Sequence, residues 1–233
     1  MDTNQIHPSA FIDETVQLGT GNIIGPFSVI LGKTKIGNNN WIGPHVVIGT
    51  PPEDRNIHNY KHLSGQVDGS ISIGSRNIIH EHTSIQNPTL ALTEIGNDNF
   101  IMHNVHIAHD NKIGNFVTLA PGVDLAGHVK INNYATLGLG VVVHQFRKIG
   151  LLAMIGMNAA VTKDVPNFIL AAGSPSRNLK VNLIGIQRQG FQIASWCSEL
   201  NKPVEEWDSH LVPAEFFKFT LMNDSFSENP DRK

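Results

Sequence analysis

The feature that most constrains this chain is a six-residue repeat, in which every sixth position carries an aliphatic side chain for most of the length. The 23 in-frame positions are Ile6, Ile12, Leu18, Ile24, Ile30, Ile36, Ile42, Ile48, Ile73, Ile79, Ile85, Ile95, Ile101, Ile107, Ile113, Leu119, Leu125, Ile131, Leu137, Val143, Ile149, Ile155 and Val161. A period of six is neither the 3.6 of a helix nor the two of a simple strand. It is typical of hexapeptide repeats, and it predicts a mainly β chain folded as a left-handed parallel β-helix.

Each six-residue unit is expected to form one short strand and one corner, so that three successive units make one triangular coil. The aliphatic side chain points inward and stacks on its equivalent in the next coil, since no coil can bury its own face. A conventional β-sandwich with chance spacing is the alternative, and 23 in-frame positions make it a poor explanation.

Interruptions of the repeat predict the domain organisation. Residues 1–176 are expected to form the β-helix, with loops at 50–70 and 86–94 where the spacing of the aliphatic positions breaks. After Val161 the repeat ends, and from about Val181 the apolar residues follow a helical period. Residues 177–233 are therefore predicted to be a short α-helical C-terminal extension with a polar tail.

Composition narrows the functional class. The formal net charge of −3 gives no reason to expect a nucleic-acid partner. Cys197 is the single cysteine, which suits a reducing compartment, and no apolar run is long enough for a transmembrane segment. With no apolar stretch near the N-terminus, we expect a cytoplasmic protein.

Histidines cluster at positions separated by whole coils. His109, Gly127 and Gln145 follow one another at intervals of three repeat units, so they should stack in one column on the same edge of the prism. His128 lies one coil after Asp110, so a second column should run beside the first. His144 completes this predicted surface patch.

The patch contains the groups that acyl transfer needs. A histidine can accept the proton of an attacking hydroxyl or amine, a carboxylate such as Asp110 can fix its tautomer, and a backbone N–H near Gly127 can stabilise an oxyanion. No serine or cysteine lies in the column, which favours direct attack over a covalent intermediate. Histidines that merely stack or solvate the surface are the alternative. His106 and His109 are three residues apart and lack a third ligand, so no metal is predicted.

Three motifs carry a resemblance to a known family. His106-Ile107-Ala108-His109-Asp110, Leu125-Ala126-Gly127-His128-Val129 and Val143-His144-Gln145-Phe146 closely resemble the UDP-N-acetylglucosamine O-acyltransferases of lipid A synthesis. The resemblance extends through Asp164-Val165-Pro166 and Val181-Asn182-Leu183-Ile184-Gly185 to Arg188-Gln189-Gly190-Phe191, and covers about residues 5–195. It implies a homotrimer with clefts between adjacent prisms and a 3-hydroxyacyl donor on acyl carrier protein.

The resemblance also implies roles for residues of this chain. His109 matches the general base, Asp110 its neighbour and Gly127 the oxyanion donor. The positions that resemble substrate-contacting ones are Asp54, His106, His128, His144, Gln145, Met157, Asn182 and Arg188. Asp54 matches a contact to the sugar nucleotide, while Asn182 and Arg188 match contacts to substrate or to the carrier.

Several positions depart from the family pattern. Met157 stands where long-chain members keep glycine and is expected to shorten the accepted acyl chain. Gln189 replaces the second of two adjacent basic residues, and Gln86-Asn87-Pro88-Thr89 replaces His-Arg-Gly-Thr.

Two enzyme hypotheses therefore stand: O-acylation of UDP-N-acetylglucosamine, or N-acylation of a nucleotide-linked amino sugar by a short chain. A non-catalytic hexapeptide protein is the third.

No bound cofactor is expected, and the donor is carried on acyl carrier protein or on coenzyme A. Arg147, Lys148 and Arg188 suit an acidic carrier protein, although a few surface cations also suit plain solvation.

Overall fold

The computed structural model of the chain describes residues 3–56, 69–90, 92–192, 198–202, 206 and 212–224. The chain winds into about nine turns of a parallel β-helix with three flat sheets and few helices. This confirms the predicted mainly β, left-handed parallel β-helix.

Short strands, numbered β1 to β25 in chain order, form the three faces of the prism. Face A contains β1 (Gln5–Ile6), β4 (Ile23–Ile24), β7 (Trp41–Ile42), β10 (Ile78–Ile79), β13 (Phe100–Ile101), β16 (Thr118–Leu119), β19 (Thr136–Leu137), β22 (Met154–Ile155), β24 (Ile169–Ala172) and β25 (Arg177–Val181). Face B contains β2 (Phe11–Ile12), β5 (Val29–Ile30), β8 (Val47–Thr50), β11 (Ser84–Gln86), β14 (His106–Ile107), β17 (Asp124–Leu125), β20 (Val142–Val143) and β23 (Ala160–Val161). Face C contains β3 (Gln17–Leu18), β6 (Thr34–Ile36), β9 (Ser70–Ile73), β12 (Leu92–Ile95), β15 (Lys112–Ile113), β18 (Lys130–Ile131) and β21 (Lys148–Ile149).

The register of the strands explains the six-residue pattern. In the regular coils each strand pairs with the equivalent strand of the next coil, as Ile107 pairs with Leu125 and Leu125 with Val143. The second residue of each strand points into the prism, and these aliphatic side chains form one continuous buried core. The first residue points outward, so each face displays one column of side chains.

A ladder of buried asparagines runs along the corner between faces C and A. The side-chain oxygen of Asn40 accepts the backbone N–H of Asn77 at 2.9 Å, and the oxygen of Asn77 accepts that of Asn99 at 2.9 Å. The side-chain oxygen of Asn22 accepts the backbone N–H of Asn40 in the same way. Each amide thus satisfies a main-chain group that would otherwise be buried without a partner.

The C-terminal extension begins differently from the prediction. Residues 177–181 form β25, which pairs antiparallel with β24, so the boundary at residue 176 separates two strands of one sheet. The short helix α1 (Leu183–Arg188) follows, then a 3-10 turn (Glu199–Asn201) and helix α2 (Ala214–Asn223). These helices lie within the predicted helical extension, whose remaining residues are in part outside the described ones, so the division of the chain at residue 176 stays a prediction. The polar tail after residue 224 lies outside the described residues.

The extension covers the C-terminal end of the prism with its own apolar cluster. Phe216 is fully buried against Phe168, and Leu152 and Ile186 belong to the same cluster. None of the helices in the described part of the chain has the length and apolar character that a bilayer-spanning segment needs.

Both predicted loops leave face B of the prism. The first follows β8, and its described part ends at Asn56. The second is shorter than the predicted 86–94, because β12 already begins at Leu92 and pairs with β9 from Ser70 onward. Thr93 is fully buried there, Asn87 and Pro88 are buried as well, and Leu90 is the exposed residue of the segment.

Candidate active site

Three successive corners between faces B and C carry the histidine motifs. We call this the B–C edge; it comprises residues 108–111, 126–129 and 144–147. Backbone hydrogen bonds from His128 to His109 and from Phe146 to Gly127 stack the corners, as the one-coil spacing predicts. One residue of each corner has a left-handed backbone, with φ of 58° at Asp110 and 61° at His128.

His109 and Asp110 form a hydrogen-bonded pair on this edge. His109 Nδ1 lies 2.9 Å from Asp110 Oδ2. The carboxylate accepts the Nδ1 proton, which leaves the lone pair of Nε2 as the basic site. The imidazole is 17% exposed and the carboxylate 6%, so the base faces solvent while its partner is buried.

The second loop holds the carboxylate of Asp110. The Thr89 hydroxyl and backbone N–H donate to Oδ2 at 2.6 and 2.9 Å, and the Leu90 N–H donates to Oδ1 at 3.0 Å. Burial would raise the pKa of Asp110, but the hydrogen bonds from Thr89, His109 and Leu90 outweigh it and lower this pKa below its ordinary value. The carboxylate is therefore ionised at neutral pH.

Gly127 stands directly beside the imidazole of His109. A Cβ at this position would overlap the ring, so the residue must be glycine for reasons of space rather than of backbone conformation. Within the described part of the chain no acceptor is found for the Gly127 N–H. A donor next to a base is the arrangement that an oxyanion requires.

His128 occupies the corner after Asp110 and packs between rings. Its ring meets His109 edge to face at 5.1 Å between centroids and stacks on Phe146 at 4.5 Å. Its Nε2 is 3.8 Å from Asp110 Oδ2, which is too far for a hydrogen bond. Burial, the largest effect, lowers the pKa of His128, with the Asp110 charge opposing it, so this ring is neutral at pH 7.

An open cleft of about 550 Å³ runs from the B–C edge along face B. His109, Gly127 and Gln145 line its edge side, and His106 lines its face side. Glu53, from the first loop, approaches with its carboxylate 4.0 Å from His106 Nε2. Asp124, Val142 and neighbouring main chain complete a wall that is part polar and part apolar.

Of the other predicted site residues, His106 lines the cleft, whereas His144 and Asp54 are chain neighbours of lining residues and are not part of the lining. His106 Nδ1 lies 2.8 Å from the Ser84 hydroxyl, which fixes the ring on face B. His144 is exposed at the next corner, with Nδ1 3.2 Å from the carbonyl oxygen of Gln145. Asp54 is half-buried in the first loop, where it accepts the Asn56 N–H at 2.8 Å.

Three predicted residues lie away from the cleft of the single chain. Met157 is 67% exposed on the corner between faces A and B, which is a different edge of the prism. Asn182 caps α1: its oxygen accepts the Gly185 N–H at 3.1 Å and its amide donates to the Leu152 carbonyl at 2.8 Å. Arg188 is exposed at the end of that helix.

His109, Asp110 and His128 also form the one cluster, in the described part of the chain, whose ligand atoms lie within 4.8 Å of one another, as a metal site requires. Asp110 already accepts hydrogen bonds from Thr89, Leu90 and His109. These bonds favour a catalytic dyad over metal ligation. A metal-free site stays a prediction, which metal analysis of the purified protein tests.

Sequence reasoning missed the contacts of Thr89 with Asp110, of Glu53 with His106 and of Phe146 with His128. Thr89 and Glu53 both come from loops that interrupt the repeat, so no period places them in space. Phe146 was part of a quoted motif, but its stacking on His128 depends on the φ of 62° at that corner. The available signal was that loops on a rigid scaffold often carry binding groups.

Comparisons with known proteins found relatives that match most of the chain. The chain is 45% identical over 193 residues to an acyl-(acyl-carrier-protein)–UDP-N-acetylglucosamine O-acyltransferase of Saccharophagus degradans, covering 82% of this chain and 72% of the relative. It is 40% identical over 209 residues to a protein of the same name from Thermodesulfovibrio yellowstonii, covering 81% and 78%. No protein-family model matches the chain.

A solved structure has the same fold. The UDP-N-acetylglucosamine acyltransferase of Campylobacter jejuni superposes with a TM-score of 0.72 at 30% identity, over 84% of this chain and 81% of that one.

Proposed function

The chain belongs to the acyl-(acyl-carrier-protein)–UDP-N-acetylglucosamine O-acyltransferase family, and from that premise we propose how its own residues perform the reaction. It is an acyltransferase of lipid A biosynthesis, with an acyl carrier protein thioester as donor and UDP-N-acetylglucosamine as acceptor. The alternative of N-acylation is not favoured, because the relatives are O-acyltransferases by name.

His109 acts as the general base of a direct attack. Its Nε2 accepts the proton of a sugar hydroxyl as the hydroxyl oxygen bonds to the thioester carbonyl carbon. Asp110 stabilises the imidazolium that forms, since the carboxylate is ionised and 2.9 Å from Nδ1. The Thr89 and Leu90 donors keep that carboxylate in place.

The Gly127 N–H donates a hydrogen bond to the negatively charged oxygen of the tetrahedral intermediate. When the intermediate collapses, the carbon–sulfur bond breaks, and His109 Nε2 transfers its proton to the leaving sulfur, which yields a free thiol and the neutral base. Neutral His128 and His144, with Gln145 and His106, contact the sugar nucleotide or the donor arm along the cleft. Asp54 approaches the sugar from the first loop.

One observation carries this assignment. The basic nitrogen of His109 faces the cleft, its other nitrogen is fixed by a buried carboxylate, and the Gly127 N–H beside it has no acceptor in the described part of the chain. A prism that served only as structure would require none of these three features together.

We propose that the working enzyme is a homotrimer whose clefts lie between prisms. Met157 and Arg188 are remote from His109 within one chain, and a neighbouring copy can bring them to the cleft. Exposed apolar side chains on the outside of face A, such as Ile23, Ile78 and Phe100, support such packing. Multi-angle light scattering on the purified protein measures the assembly directly.

In that arrangement Met157 closes the acyl groove and limits chain length, and Asn182 and Arg188 lie near substrate or carrier. Acyl carrier protein is the donor; acyl-coenzyme A is expected to be a weaker substitute, and no cofactor stays bound.

We propose a cytoplasmic location, because the single cysteine, Cys197, suits a reducing compartment.

The test is a transfer assay read by mass spectrometry. Purified protein is offered a ladder of 3-hydroxyacyl carrier proteins with UDP-N-acetylglucosamine, and we expect an ester product. His109→Ala should lower kcat by about 10²–10⁴-fold while the β-helix stays folded. Turnover that survives this substitution would remove His109 from its role as the base.

A further inference from the structure

The outward side chains of face B change from polar to apolar within the cleft. The column reads Ser84, His106, Asp124, Val142 and Ala160, each one strand further along the sheet. Asp124 pairs in register with His106 on one side and with Val142 on the other. The side chain of Asp124 therefore stands at the boundary between a polar and an apolar stretch of the cleft wall.

The carboxylate of Asp124 is an unused acceptor on this wall. Asp124 is exposed and lines the cleft, and its side chain has no hydrogen bond or ion pair within the part of the chain that the structure describes. Asp110, by contrast, accepts hydrogen bonds from the second loop and from His109. A carboxylate only accepts hydrogen bonds, so Asp124 is available to a donor group of the substrates.

Charge limits which part of the substrates lies against Asp124. Glu53 is the second carboxylate of the lining, and no lysine or arginine is among the described residues that line the cleft. Two carboxylates without a cation repel the diphosphate of a sugar nucleotide. A neutral donor is therefore expected at Asp124, and the substrates carry such donors as the hydroxyls of the sugar and of the 3-hydroxyacyl chain.

The position of Asp124 suits a hydroxyl near the reacting carbon. Gly127 follows Asp124 by three residues in the same coil, a span of at most about 10 Å. In the proposed mechanism the carbonyl carbon lies between Gly127 and His109, so a hydroxyl two to four bonds away comes within reach of the carboxylate. On the next strand Val142 is 44% exposed and offers an apolar surface to methylene groups.

We propose that Asp124 is a specificity-determining residue, which accepts a hydrogen bond from a substrate hydroxyl close to the reacting carbon. The inference rests on the proposed function, since the substrates of that reaction carry these hydroxyls. When a substrate covers the cleft, an analogue without the hydroxyl leaves the carboxylate with neither water nor a partner, and the enzyme discriminates against it.

The experiment compares Asp124→Val with the unaltered protein on matched pairs of substrates in the transfer assay. Valine has no acceptor and suits an exposed strand position, so the variant is expected to fold. The donor pair is a 3-hydroxyacyl carrier protein and the acyl carrier protein of equal chain length without the hydroxyl. The acceptor pairs are UDP-N-acetylglucosamine and analogues that each lack one hydroxyl that is not acylated.

The measured quantity is the ratio of the two kcat/KM values within a pair. For at least one pair we expect this preference for the hydroxylated substrate to fall about 10–100-fold in Asp124→Val, as for loss of a hydrogen bond to a charged group. The fall should come from the hydroxylated substrate, whereas kcat/KM for the analogue should change little. A merely structural role of Asp124 would lower both values together.

Two control variants separate the hydrogen bond from the loss of charge. Asp124→Asn keeps the shape and one acceptor oxygen, so it should retain part of the preference, because neutral hydrogen bonds are weaker than charged ones. Glu94→Gln removes a carboxylate from face C, outside the cleft, and should leave every ratio unchanged.

The pairs also identify the hydroxyl. A fall confined to the donor pair assigns the hydrogen bond to the 3-hydroxyl of the acyl chain, and a fall confined to one acceptor pair assigns it to the sugar. Unchanged ratios in Asp124→Val, or equal losses with every substrate, would overturn the inference. Absence of transfer by the unaltered enzyme from every carrier donor would instead overturn the proposed function.

Discussion

At the scale of single residues, the site depends on how little space separates Gly127 from His109. The imidazole occupies the volume that a side chain at position 127 would fill. The proposed base and the proposed oxyanion donor are therefore adjacent because residue 127 is glycine.

Gly127→Ala is predicted to lower kcat/KM by about 10²–10³-fold, since the added methyl displaces the imidazole and shields the N–H. Steady-state kinetics with carrier-bound donor measure the loss. Ala126→Gly, one position earlier in the same corner, is the control and should retain most activity. Full activity in Gly127→Ala would show that neither the His109 imidazole nor the Gly127 N–H needs its present position.

Thr89→Val is predicted to lower kcat about tenfold, because Asp110 loses a charge-assisted hydrogen bond of 2.6 Å while the backbone donors of Thr89 and Leu90 remain. Thr89→Ser restores the hydroxyl and should restore most of the rate. Equal rates in the valine and serine variants would mean that the hydroxyl has no part in positioning the dyad.

Asp110 should also give the folded protein a characteristic dependence on pH. Its pKa is lowered in the folded state, so the unfolded chain binds the proton more readily. The stability that it contributes is present above the ordinary aspartate pKa of about 3.9 and is lost as the pH falls through the folded value. The difference in unfolding free energy between the unaltered protein and Asp110→Asn should shrink as the pH falls below about 5, and it should go on shrinking below the ordinary aspartate pKa. A difference independent of pH would contradict the lowered pKa.

At the scale of elements, the buried asparagine ladder ties one coil to the next. Asn77 receives the Asn99 N–H and donates to the Asn40 oxygen and the Gly96 carbonyl. Asn77→Ala leaves several buried groups without partners and should lower the free energy of unfolding by about 3 kcal/mol. Urea denaturation of the variant and of the unaltered protein measures this loss of unfolding free energy.

The matched control for the ladder is Asn38→Ala. Asn38 makes a similar bond to the Thr20 N–H at 2.8 Å but is exposed, so water replaces it and the expected loss is below about 1 kcal/mol. Similar losses in both variants would show that burial does not set the strength of the ladder.

The elements also show where the repeat predicts structure and where it does not. Each strand of the regular coils begins where the six-residue period places it, because an inward aliphatic residue is needed at every turn. The second loop ends earlier than expected, and residues 177–181 add a strand to face A. Both differences arise because backbone groups pair with a neighbouring strand, β9 for the end of the second loop and β24 for residues 177–181. Side-chain periodicity does not encode such backbone pairing.

At the scale of the whole molecule, the proposed acyl groove is shared between chains of the proposed homotrimer. Met157→Gly is predicted to move the preferred donor to a chain longer by about two to four methylene groups, since the space of the removed side chain becomes available. A donor ladder read by mass spectrometry measures the shift. An unchanged preference would exclude Met157 from limiting the chain.

Mixed assemblies test whether Met157 acts on a neighbour's cleft. In trimers formed from His109→Ala and Met157→Gly chains, only the second chain supplies a base. If the groove crosses between copies, part of the activity returns to the short-chain preference of the unaltered enzyme. Activity with the long-chain preference alone would mean that base and groove come from the same chain.

The sequence by itself determined the β-helix, the stacking of His109 on Gly127 and the proximity of His128 to Asp110, because a fixed coil of three repeat units converts spacing directly into neighbours. Only the tertiary structure decided that Thr89 and Leu90 hold Asp110 and that Asn182 caps α1. Loops and termini have no period, so their contacts depend on where the chain returns to the scaffold. The proposed trimer would depend on contacts between different chains, which neither the repeat nor the fold of one chain determines.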